Sequence, residues 1–386
     1  MKKITLFAAA LFMAGSVFSA ITVEKLWEST ANMPPGADAK QGVGYDQTLY
    51  IQDKNVQKIY AFTKVGETVT RSDYAASADG LGLAIDDAGN LAVRVGYFAS
   101  ATPNALKIYK KGSTTAVDIT FALPTPGRCD YNSASGDIFS AEGGYVWFLC
   151  NTTTSVQYVK ICNGGETPAD VTVGTMGGVL PAAAGTLSHI VTGTATTWFG
   201  QSRSADFYSW NGTEILAATP DGAKKSTLGG CAFTIGGKLV YAYNSGAKNY
   251  NSEFKVRNMT DGEDIATGLM IGDGSATNTA YANWLTASKI DENTYYLHQV
   301  CPAVGVALYK VTSTTVGIEN VKTVKANLFS TADGLTAEFD GEATIEIFTV
   351  TGKLIEKTVA NNVYNTALKA GAYLVRINGE TFKFVK

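Results

Sequence analysis

The chain contains two histidines, His189 and His298. Free imidazole titrates at about pH 6.5, so either residue could act as a general base. His298 lies in the middle of the apolar run YYLHQV, a pattern that favours a packed position in a sheet. His189 begins a strand-like stretch that is predicted to start near the mouth of a ring of strands. His189 is therefore a candidate for lining a site, whereas a packed or hydrogen-bonded role is the commoner explanation of a lone strand histidine.

Six further candidates lie in segments that lead into apolar strands, and they combine aromatic with hydrogen-bonding side chains. They are Arg128, Asp130, Tyr131, Tyr281, Asn283 and Trp284. This combination suits sugar rings, which present apolar faces and hydroxyl edges. These residues and His189 would gather at one end of a channel if the strands run in the usual direction. The alternative for Trp284 is packing between sheets, since tryptophan is largely buried in most proteins.

Signatures of well-known hydrolases are absent from the sequence. It has no G-x-S-x-G elbow, no H-E-x-x-H and no phosphate-binding loop, and it lacks the Ser-x-Asp-x-Gly-x-Thr-Trp box of sialidase propellers. Paired carboxylates from different strands would still allow glycoside hydrolysis. Asp79, Asp130 and Asp273 lie in loops that could supply them. Solvated loop acids are the commoner explanation of such residues.

Neither a metal site nor a cofactor is predicted. The fragment GDGSATN at residues 272–278 places oxygen-bearing side chains at alternate positions, as calcium loops do. It lacks the downstream glutamate of such loops, so a turn built by glycine and aspartate explains it better. No C-x-x-C pair is present, which removes the usual basis for a zinc or redox motif.

Cysteine usage leaves two interpretations open. The five cysteines are Cys129, Cys150, Cys162, Cys231 and Cys301. An exported chain permits disulfides, but an odd number leaves at least one thiol without an intramolecular partner. Each cysteine lies in or beside an apolar strand pattern, and unpaired cysteine is among the most buried residue types. Buried structural thiols are therefore favoured over a framework of bridges.

Composition indicates an all-β protein with many turns. The 386 residues include 40 glycines, 19 tyrosines and 17 phenylalanines, and charged residues make up 17%. Glycine supplies the dihedral angles of turns, and aromatic side chains fill pleated faces. The formal net charge is −3, and basic residues occur in pairs rather than in a patch. A nucleic-acid partner is therefore disfavoured.

The first twenty residues are predicted to be a signal peptide, residues 1–20. Lys2 and Lys3 precede the apolar run ITLFAAALFMAGSV, and small residues allow cleavage after Ser19 or Ala20. The run is too short for a comfortable membrane span, so we expect no transmembrane segment in the mature chain. The expected location is outside the cytoplasm: extracellular or on the outer-membrane surface, with the periplasm as transit or alternative.

A strand–turn–strand pattern recurs five times clearly and a sixth time faintly between residues 40 and 312. Clear copies begin at DGLGLAIDDAGNLAVRV (79–95), GDIFSAEGGYVWFLC (136–150) and GGCAFTIGGKLVYAY (229–243). Four-stranded propeller blades recur about every 40 to 50 residues. The prediction is a six-bladed β-propeller over residues 21–316. An open ring would expose strand edges, so the isolated strand at Val23–Trp27 is predicted to supply the fourth strand of blade six.

The string GLAIDDAGNLAV in the second copy resembles the blade consensus of NHL and gluconolactonase-like propellers. In that consensus a strand of glycine and apolar residues meets a turn of Asp or Gly with Asn. Only this copy shows the pattern well, so the resemblance covers about a tenth of the chain. It supports the propeller fold and implies no particular activity.

Beyond Gly317 the pattern changes to a small module of about seven alternating strands, predicted as a β-sandwich over residues 317–386. It resembles the C-terminal sorting domain of the Bacteroidetes type IX secretion system through IEIFTVTGKLI (345–355), LKAGAYLVRINGE (368–380) and the terminal FKFVK (382–386). Asn327–Ser330 replaces the family's usual Tyr-Pro-Asn-Pro-like opening. The resemblance implies recognition by the secretion machinery and possible removal of the domain at the cell surface.

Three functions are compatible with these observations. The first is a secreted or surface-displayed, non-catalytic propeller that recognises a glycan or a protein. The second is a polysaccharide hydrolase or lyase that uses carboxylates, or His189 with Arg128, at the channel. The third is a purely structural surface protein. Carboxylates that face each other across the channel would favour the hydrolase, whereas an aromatic surface without them would favour binding.

Overall fold

Alternating apolar residues and glycine-rich turns give strands along most of the chain. A computed structural model describes residues 18–35, 40–80, 82–96, 104–127, 129, 132–148, 150, 155–179, 189–193, 198–201, 207–210, 215–218, 229–245, 252–273, 283–302, 304–316, 326–331 and 333–386. One compact unit comprises Ala20–Thr314, and a second contains Thr315–Lys386. No helix in the described ranges is long and apolar enough to cross a membrane.

The first unit contains six four-stranded antiparallel sheets, which are the blades. The chain begins with β1 (Phe18–Ser29). Blade one comprises β2 (Lys40–Tyr45), β3 (Thr48–Asp53), β4 (Lys58–Val65) and β5 (Thr68–Ala76). Blade two comprises β6 (Leu83–Ile85), β7 (Leu91–Val95), β8 (Asn104–Tyr109) and β9 (Val117–Phe121). Blade three comprises β10 (Asn132–Gly136), β11 (Gly144–Phe148), β12 (Ser155–Ile161) and β13 (Val171–Val179).

The second half of the unit repeats this order. Blade four comprises β14 (His189–Gly193), β15 (Trp198–Gln201), β16 (Phe207–Trp210) and β17 (Ile215–Ala218). Blade five comprises β18 (Cys231–Ile235), β19 (Lys238–Asn244), β20 (Phe254–Asn258) and β21 (Glu263–Leu269). Blade six contains β22 (Trp284–Asp291), β23 (Thr294–Cys301) and β24 (Gly305–Val316). Two short 3-10 turns, Asn163–Gly165 and Pro168–Asp170, precede β13.

The six blades form a closed ring. The first strand of each blade lies nearest the centre of the ring, and we call it the inner strand. These strands are β2, β6, β10, β14, β18 and β22, and each lies beside the inner strand of the next blade, with β22 beside β2. Apolar side chains of adjacent blades fill the space between them, as Ala84 and Leu106 of blade two do against Ile138 and Val146 of blade three. The predicted six-bladed propeller is therefore confirmed.

The ring closes through the N-terminal strand, as the isolated strand at Val23–Trp27 predicted. Blade six has the order β1-β24-β23-β22, so β1 is its outermost strand. Lys25 Nζ donates to the carbonyl oxygen of Met270 at 2.7 Å, which ties β1 to the end of blade five. Trp27 packs with Leu49 of blade one and Val306 of blade six. The two ends of the propeller unit are thereby joined.

Glycine allows blade one to pack directly on blade six. A Cβ atom on Gly42 would lie 2.3 Å from Val300 side-chain atoms, and one on Gly44 would lie 2.2 Å from the ring of His298. Such distances are far below van der Waals contact. The alternation of glycine along the inner strand of blade one is therefore a requirement of the blade junction.

The cysteine interpretation is wrong for one pair. Cys129 and Cys150 form a disulfide, with Cα atoms 4.4 Å apart. The bridge joins Cys129, three residues before β10, to Cys150, two residues after β11. The other three behave as expected of structural thiols, since Cys231 and Cys301 are buried and Cys162 is half-buried. Sequence could not find the pair because disulfide formation depends on spatial proximity.

The second unit is a single five-stranded sheet around its own core. Its strands are β25 (Asn327–Ser330), β26 (Gly334–Thr349), β27 (Leu354–Ala367), β28 (Ala372–Ile377) and β29 (Glu380–Val385). Ile345, Ile347 and Val375 lie in the core. The described part has five strands rather than about seven because β26 runs on through a bulge, where Gly341 N donates to Asn362 Oδ1 at 2.8 Å. The β27 strand pairs with β26 alone among the described strands.

Candidate functional site

The inner strands enclose a cavity of about 730 Å³ in the middle of the propeller unit. Its described walls come from blades one, two, three, five and six. We call the end where the inner strands begin the inlet end, and the end where they turn into the second strands the turn end. Ligand pockets commonly have volumes of about 300 to 1,000 Å³. The cavity is therefore large enough for a small ligand or for part of a larger one.

At the turn end, the acidic residues are held by backbone and amide donors. Asp86 is 3% exposed. Its carboxylate accepts hydrogen bonds from Ala88 N, Asn90 N, Asn90 Nδ2 and Ile138 N, all at 2.8 to 3.0 Å. Burial raises the pKa of Asp86, and the donors act in the opposite direction. Because Ile138 belongs to the next blade, Asp86 holds the turn of blade two and fastens it to blade three.

The turn end carries negative potential. Asp87 Oδ2 accepts a hydrogen bond from Gly136 N at 2.7 Å, and burial raises the pKa of this carboxyl group. Burial also raises the pKa of Tyr45, and the charges of Asp46, Asp86, Asp87 and Asp137 raise it further. Lys111 Nζ lies 4.4 Å from the centre of the Tyr45 ring, and the Lys289 ammonium group pairs with Glu292. Lys111 and Lys289 therefore each contact a described side chain at this end.

Facing carboxylates are not found in the described walls of the cavity. The carboxylates there are Asp86 and Asp87, which are neighbours in one turn of one blade. Across the cavity from them lie residues of blades five and six such as Thr234, Ser288 and Tyr295. Glycosidases place their two carboxyl groups on opposite sides of the scissile bond. Asp79, in the loop before blade two, accepts a hydrogen bond from Gly96 N at 3.0 Å.

The cavity wall at the inlet end has a different chemistry, because the polar groups of its described residues are uncharged and several have no partner. Asn132, the first residue of β10, is 4% exposed and lines the cavity. Neither Asn132 Nδ2 nor Asn132 Oδ1 has a hydrogen-bond partner among the described residues, and the same is true of Ser133 Oγ. Buried polar groups are satisfied in most native structures, so each exception requires an explanation.

A second amide lies beside Asn132. Gln41 is 3% exposed and lines the cavity. Its Oε1 accepts a hydrogen bond from Leu83 N at 2.9 Å. A Cβ atom on Gly82 would lie 2.2 Å from Asn132 Oδ1. Because Gly82 and Leu83 are consecutive, the side chains of Gln41 and Asn132 meet at the first residues of blade two.

Two of the predicted site residues have structural surroundings. Asn283 is 2% exposed, donates from Nδ2 to Ser252 O at 2.9 Å and accepts from Gln299 Nε2 at 3.0 Å. Trp284 is 5% exposed. It packs in the cluster that joins blades one and six, and it also contributes to the cavity wall.

Of the other predicted residues, the structure describes only His189, and only its backbone. His189 is the first residue of β14 and pairs with Gln201, so its backbone lies at the inlet end. Arg128, Asp130, Tyr131 and Tyr281 lie outside the described residues.

His298 is structural, as its position in an apolar strand indicated. It is fully buried, and its ring nitrogens lie 3.1 Å from Thr286 O and 2.7 Å from Asp46 O. Burial lowers the pKa of His298 to about 4, although both carbonyl contacts act in the opposite direction. The neutral ring carries one N–H, so it donates a hydrogen bond to one of these two carbonyl oxygens and packs against the other.

Sequence reasoning missed Gln41, Asn132 and Ser133. A signal was present, because a carboxamide occurs at or next to the first residue of the inner strand in blades one, three and six, as Gln41, Asn132 and Asn283. Within the described chain, no group of three or more His, Cys, Asp or Glu side chains could hold a metal ion.

The comparisons with known proteins leave function open. No protein-family model matches the chain, and no curated protein matches it. Among solved structures, the chain is similar to a structural-genomics protein of unknown function from Bacteroides thetaiotaomicron, with 12% sequence identity and a TM-score of 0.45. The similarity covers 77% of this chain and 77% of the other. A likeness of this strength carries no argument about the site.

Proposed function

We propose that this protein is an exported, non-catalytic β-propeller that binds a glycan or protein ligand at the inlet end of its channel. Residues at or next to the start of the inner strands of blades one, two, three, five and six line the cavity, so side chains from several blades can contact one ligand. The unpartnered amide of Asn132 is the observation that carries the proposal. Asn104 Nδ2 and Ser245 Oγ, which also lack partners in the described chain, lie at the same end of their blades.

The distribution of carboxylates supports binding rather than hydrolysis. A retaining or inverting glycosidase needs two carboxyl groups at about 5 to 10 Å on either side of the bond that breaks. In the described cavity wall the two carboxylates, Asp86 and Asp87, belong to one turn, and both accept backbone hydrogen bonds. A role in building the turn accounts for both residues.

The second unit is proposed to be a sorting-type domain that delivers the propeller to the cell surface. The sequence segments that resemble such domains form its central strands. Residues 345–355 lie in the hairpin of β26 and β27, and residues 368–380 contain β28. The terminal segment is part of the sheet, since Lys386 N donates to Gly371 O at 3.0 Å and Phe384 is buried.

A channel-filling variant tests ligand binding by the propeller unit. Ala134 lies in the cavity wall, so Ala134→Trp places an indole in the cavity, and Thr234→Trp does the same from blade five. The exposed Thr120 on β9 gives the matched control, Thr120→Trp. On a glycan and protein array, we expect the wild type and the control to bind and both cavity variants to lose at least tenfold in affinity. Equal binding by all four proteins, or turnover of a bound glycan, would contradict the proposal.

A fusion experiment tests the sorting role. Residues 317–386 attached to a periplasmic fluorescent reporter are expected to bring it to the surface of a Bacteroidetes host that has the type IX system. The control is the same fusion without the terminal residues 382–386, which removes most of β29. A reporter that stays in the periplasm with both fusions would contradict this part of the proposal.

A further inference from the structure

We propose that the amides of Gln41 and Asn132, together with the Ser133 hydroxyl, bind the hydroxyl groups of an uncharged saccharide. This inference rests on the proposed function, because it assigns the ligand class of the same channel. We call these three residues the neutral polar set. Gln41 and Asn132 come from the two blades that flank blade two and lie against Gly82–Leu83, and Ser133 follows Asn132 on β10 in the cavity wall.

The hydrogen-bonding capacity of the neutral polar set is unused in the described structure. Asn132 provides two donors and an acceptor, and Ser133 provides a donor and an acceptor; none of these atoms has a described partner. Gln41 uses Oε1 for Leu83 N, and no described residue accepts a hydrogen bond from its Nε2. A vicinal diol presents donors and acceptors at a similar spacing, so adjacent sugar hydroxyls can satisfy several of these groups at once.

The charge distribution selects an uncharged ligand. The charged side chains of the described cavity wall, Asp86, Asp87 and Lys289, all lie at the turn end. At the inlet end the wall consists of the neutral polar set and apolar side chains such as Ala232 and Trp284. None of the described side chains that line the cavity at this end is charged. The described charges of Arg94 and Asp79 lie outside the cavity wall, where Arg94 Nε donates to Gly96 O at 2.9 Å and Asp79 Oδ1 accepts from Gly96 N at 3.0 Å. Apolar wall atoms suit the C–H face of a sugar ring.

Gly82 positions the amide of Asn132. A Cβ atom at position 82 would occupy the space next to Asn132 Oδ1 and would also lie 3.1 Å from Arg94 Cβ. Gly82→Ala therefore displaces the Asn132 amide without changing its chemistry. A loss of binding in this variant would identify amide position, rather than the mere presence of an amide, as the requirement.

The first test needs no ligand. Leaving a buried amide unpaired destabilises the free protein, and replacing it by an apolar side chain of the same shape removes that penalty. Asn132→Leu in the full chain is therefore expected to raise the melting temperature, whereas Thr120→Leu on the exposed face of β9 leaves it unchanged. A lower melting temperature for Asn132→Leu would overturn the inference, because it would mean that the amide is already satisfied, for example by internal water.

The second test measures affinity and ligand class. Short neutral oligosaccharides of glucose, mannose, xylose and galactose are compared by calorimetry with sialylated and uronic-acid oligosaccharides and with a peptide library. The expected result is binding of a neutral oligosaccharide that falls at least tenfold in Asn132→Leu, Asn132→Asp and Gly82→Ala and is retained in Thr120→Leu. Gln41→Glu keeps the acceptor for Leu83 N and removes the free donor, so a smaller loss is expected.

The outcomes separate this inference from the proposed function. A charged saccharide or a peptide that binds the wild type, loses affinity in Ala134→Trp and binds Asn132→Leu normally would overturn the inference and leave the proposed function intact. An absence of binding to every probe would overturn both. Neutral saccharide binding that is indifferent to Asn132→Leu would overturn the inference alone.

Discussion

Two asparagines at the inlet end of the channel occupy similar places in their blades and have opposite surroundings. Asn283 precedes the inner strand of blade six, and Asn132 begins the inner strand of blade three. They are 2% and 4% exposed. The Asn283 amide bonds to Ser252 and Gln299, whereas both polar atoms of the Asn132 amide lack a partner among the described residues.

The difference separates structural from functional polar groups. A satisfied buried amide orders the chain around it, and its removal leaves its partners unpaired. An unsatisfied one costs free energy in the free protein, and this cost is the reason for our proposal that a ligand binds at Asn132. The residue type and its place do not distinguish the two, because both are asparagine at or next to the first residue of an inner strand.

Among the buried polar groups that have partners, we expect Asp86 at the turn end to have the largest effect on stability. Asp86→Ala removes the acceptor of four buried donors, including Ile138 N in the next blade. We expect the free energy of unfolding to fall by about 4 kcal/mol, since each stranded buried donor costs about 1 kcal/mol or more. Urea denaturation followed by tryptophan fluorescence measures it. Asp87→Ala, which loses the hydrogen bond from Gly136 N, is the control and should cost about 1 kcal/mol.

Asn283→Leu tests the comparison directly. This variant removes the hydrogen bonds to Ser252 O and Gln299 Nε2, so we expect a loss of about 3 kcal/mol in the free energy of unfolding. Asn132→Leu is the matched variant, with the same change at the same end of the channel, and its melting temperature should move in the opposite direction. Shifts of the same sign in both variants would show that the contrast between the two asparagines has no energetic meaning.

Acid sensitivity provides a smaller effect at the junction of blades one and six. Burial lowers the pKa of His298 to about 4, below the value of about 6.5 for an unperturbed histidine. The unfolded chain therefore binds a proton that the folded chain excludes as the pH falls below about 6.5. Stability should decrease by about 1.4 kcal/mol per pH unit in this window, or about 2 kcal/mol at pH 5.

The control for the acid effect uses the other histidine. His298→Gln should flatten the dependence of the melting temperature on pH between about 6.5 and 5, whereas His189→Gln should leave the slope of the wild type. A slope that disappears in His189→Gln instead would assign the acid sensitivity to blade four. The raised pKa values of Asp86 and Asp87 act in the opposite direction as the pH falls, and both histidine variants retain these two carboxyl groups, so they do not affect the comparison.

Much of the propeller fold was predictable from sequence. Periodic apolar strands and turn residues such as Asp86, Gly89 and Asn90 predicted the blades, and the isolated strand at Val23–Trp27 predicted how the ring closes. These features depend on local patterns and on the rule that a ring must hide its edges. The fold of the second unit was less predictable in detail, because a bulge at Gly341 joins two apparent strands into one.

The candidate site was only partly predictable. Asn283 and Trp284 were selected for their side-chain types, and the structure places both in packed surroundings. Gln41 and Asn132 were not selected, because amides in a glycine- and serine-rich context look like loop residues. The disulfide between Cys129 and Cys150 was likewise not identified.

The sequence by itself determined the strand periodicity, the number of blades and the strand that closes the ring, since each is encoded in residues close together along the chain. Only the tertiary structure decided which buried amides have partners. Ser252 lies 31 residues before the Asn283 that it satisfies, and Gln41 reaches a backbone amide 42 residues away. Hydrogen bonds over such separations exist only after the blades have packed, and this packing leaves Asn132 unsatisfied beside the cavity.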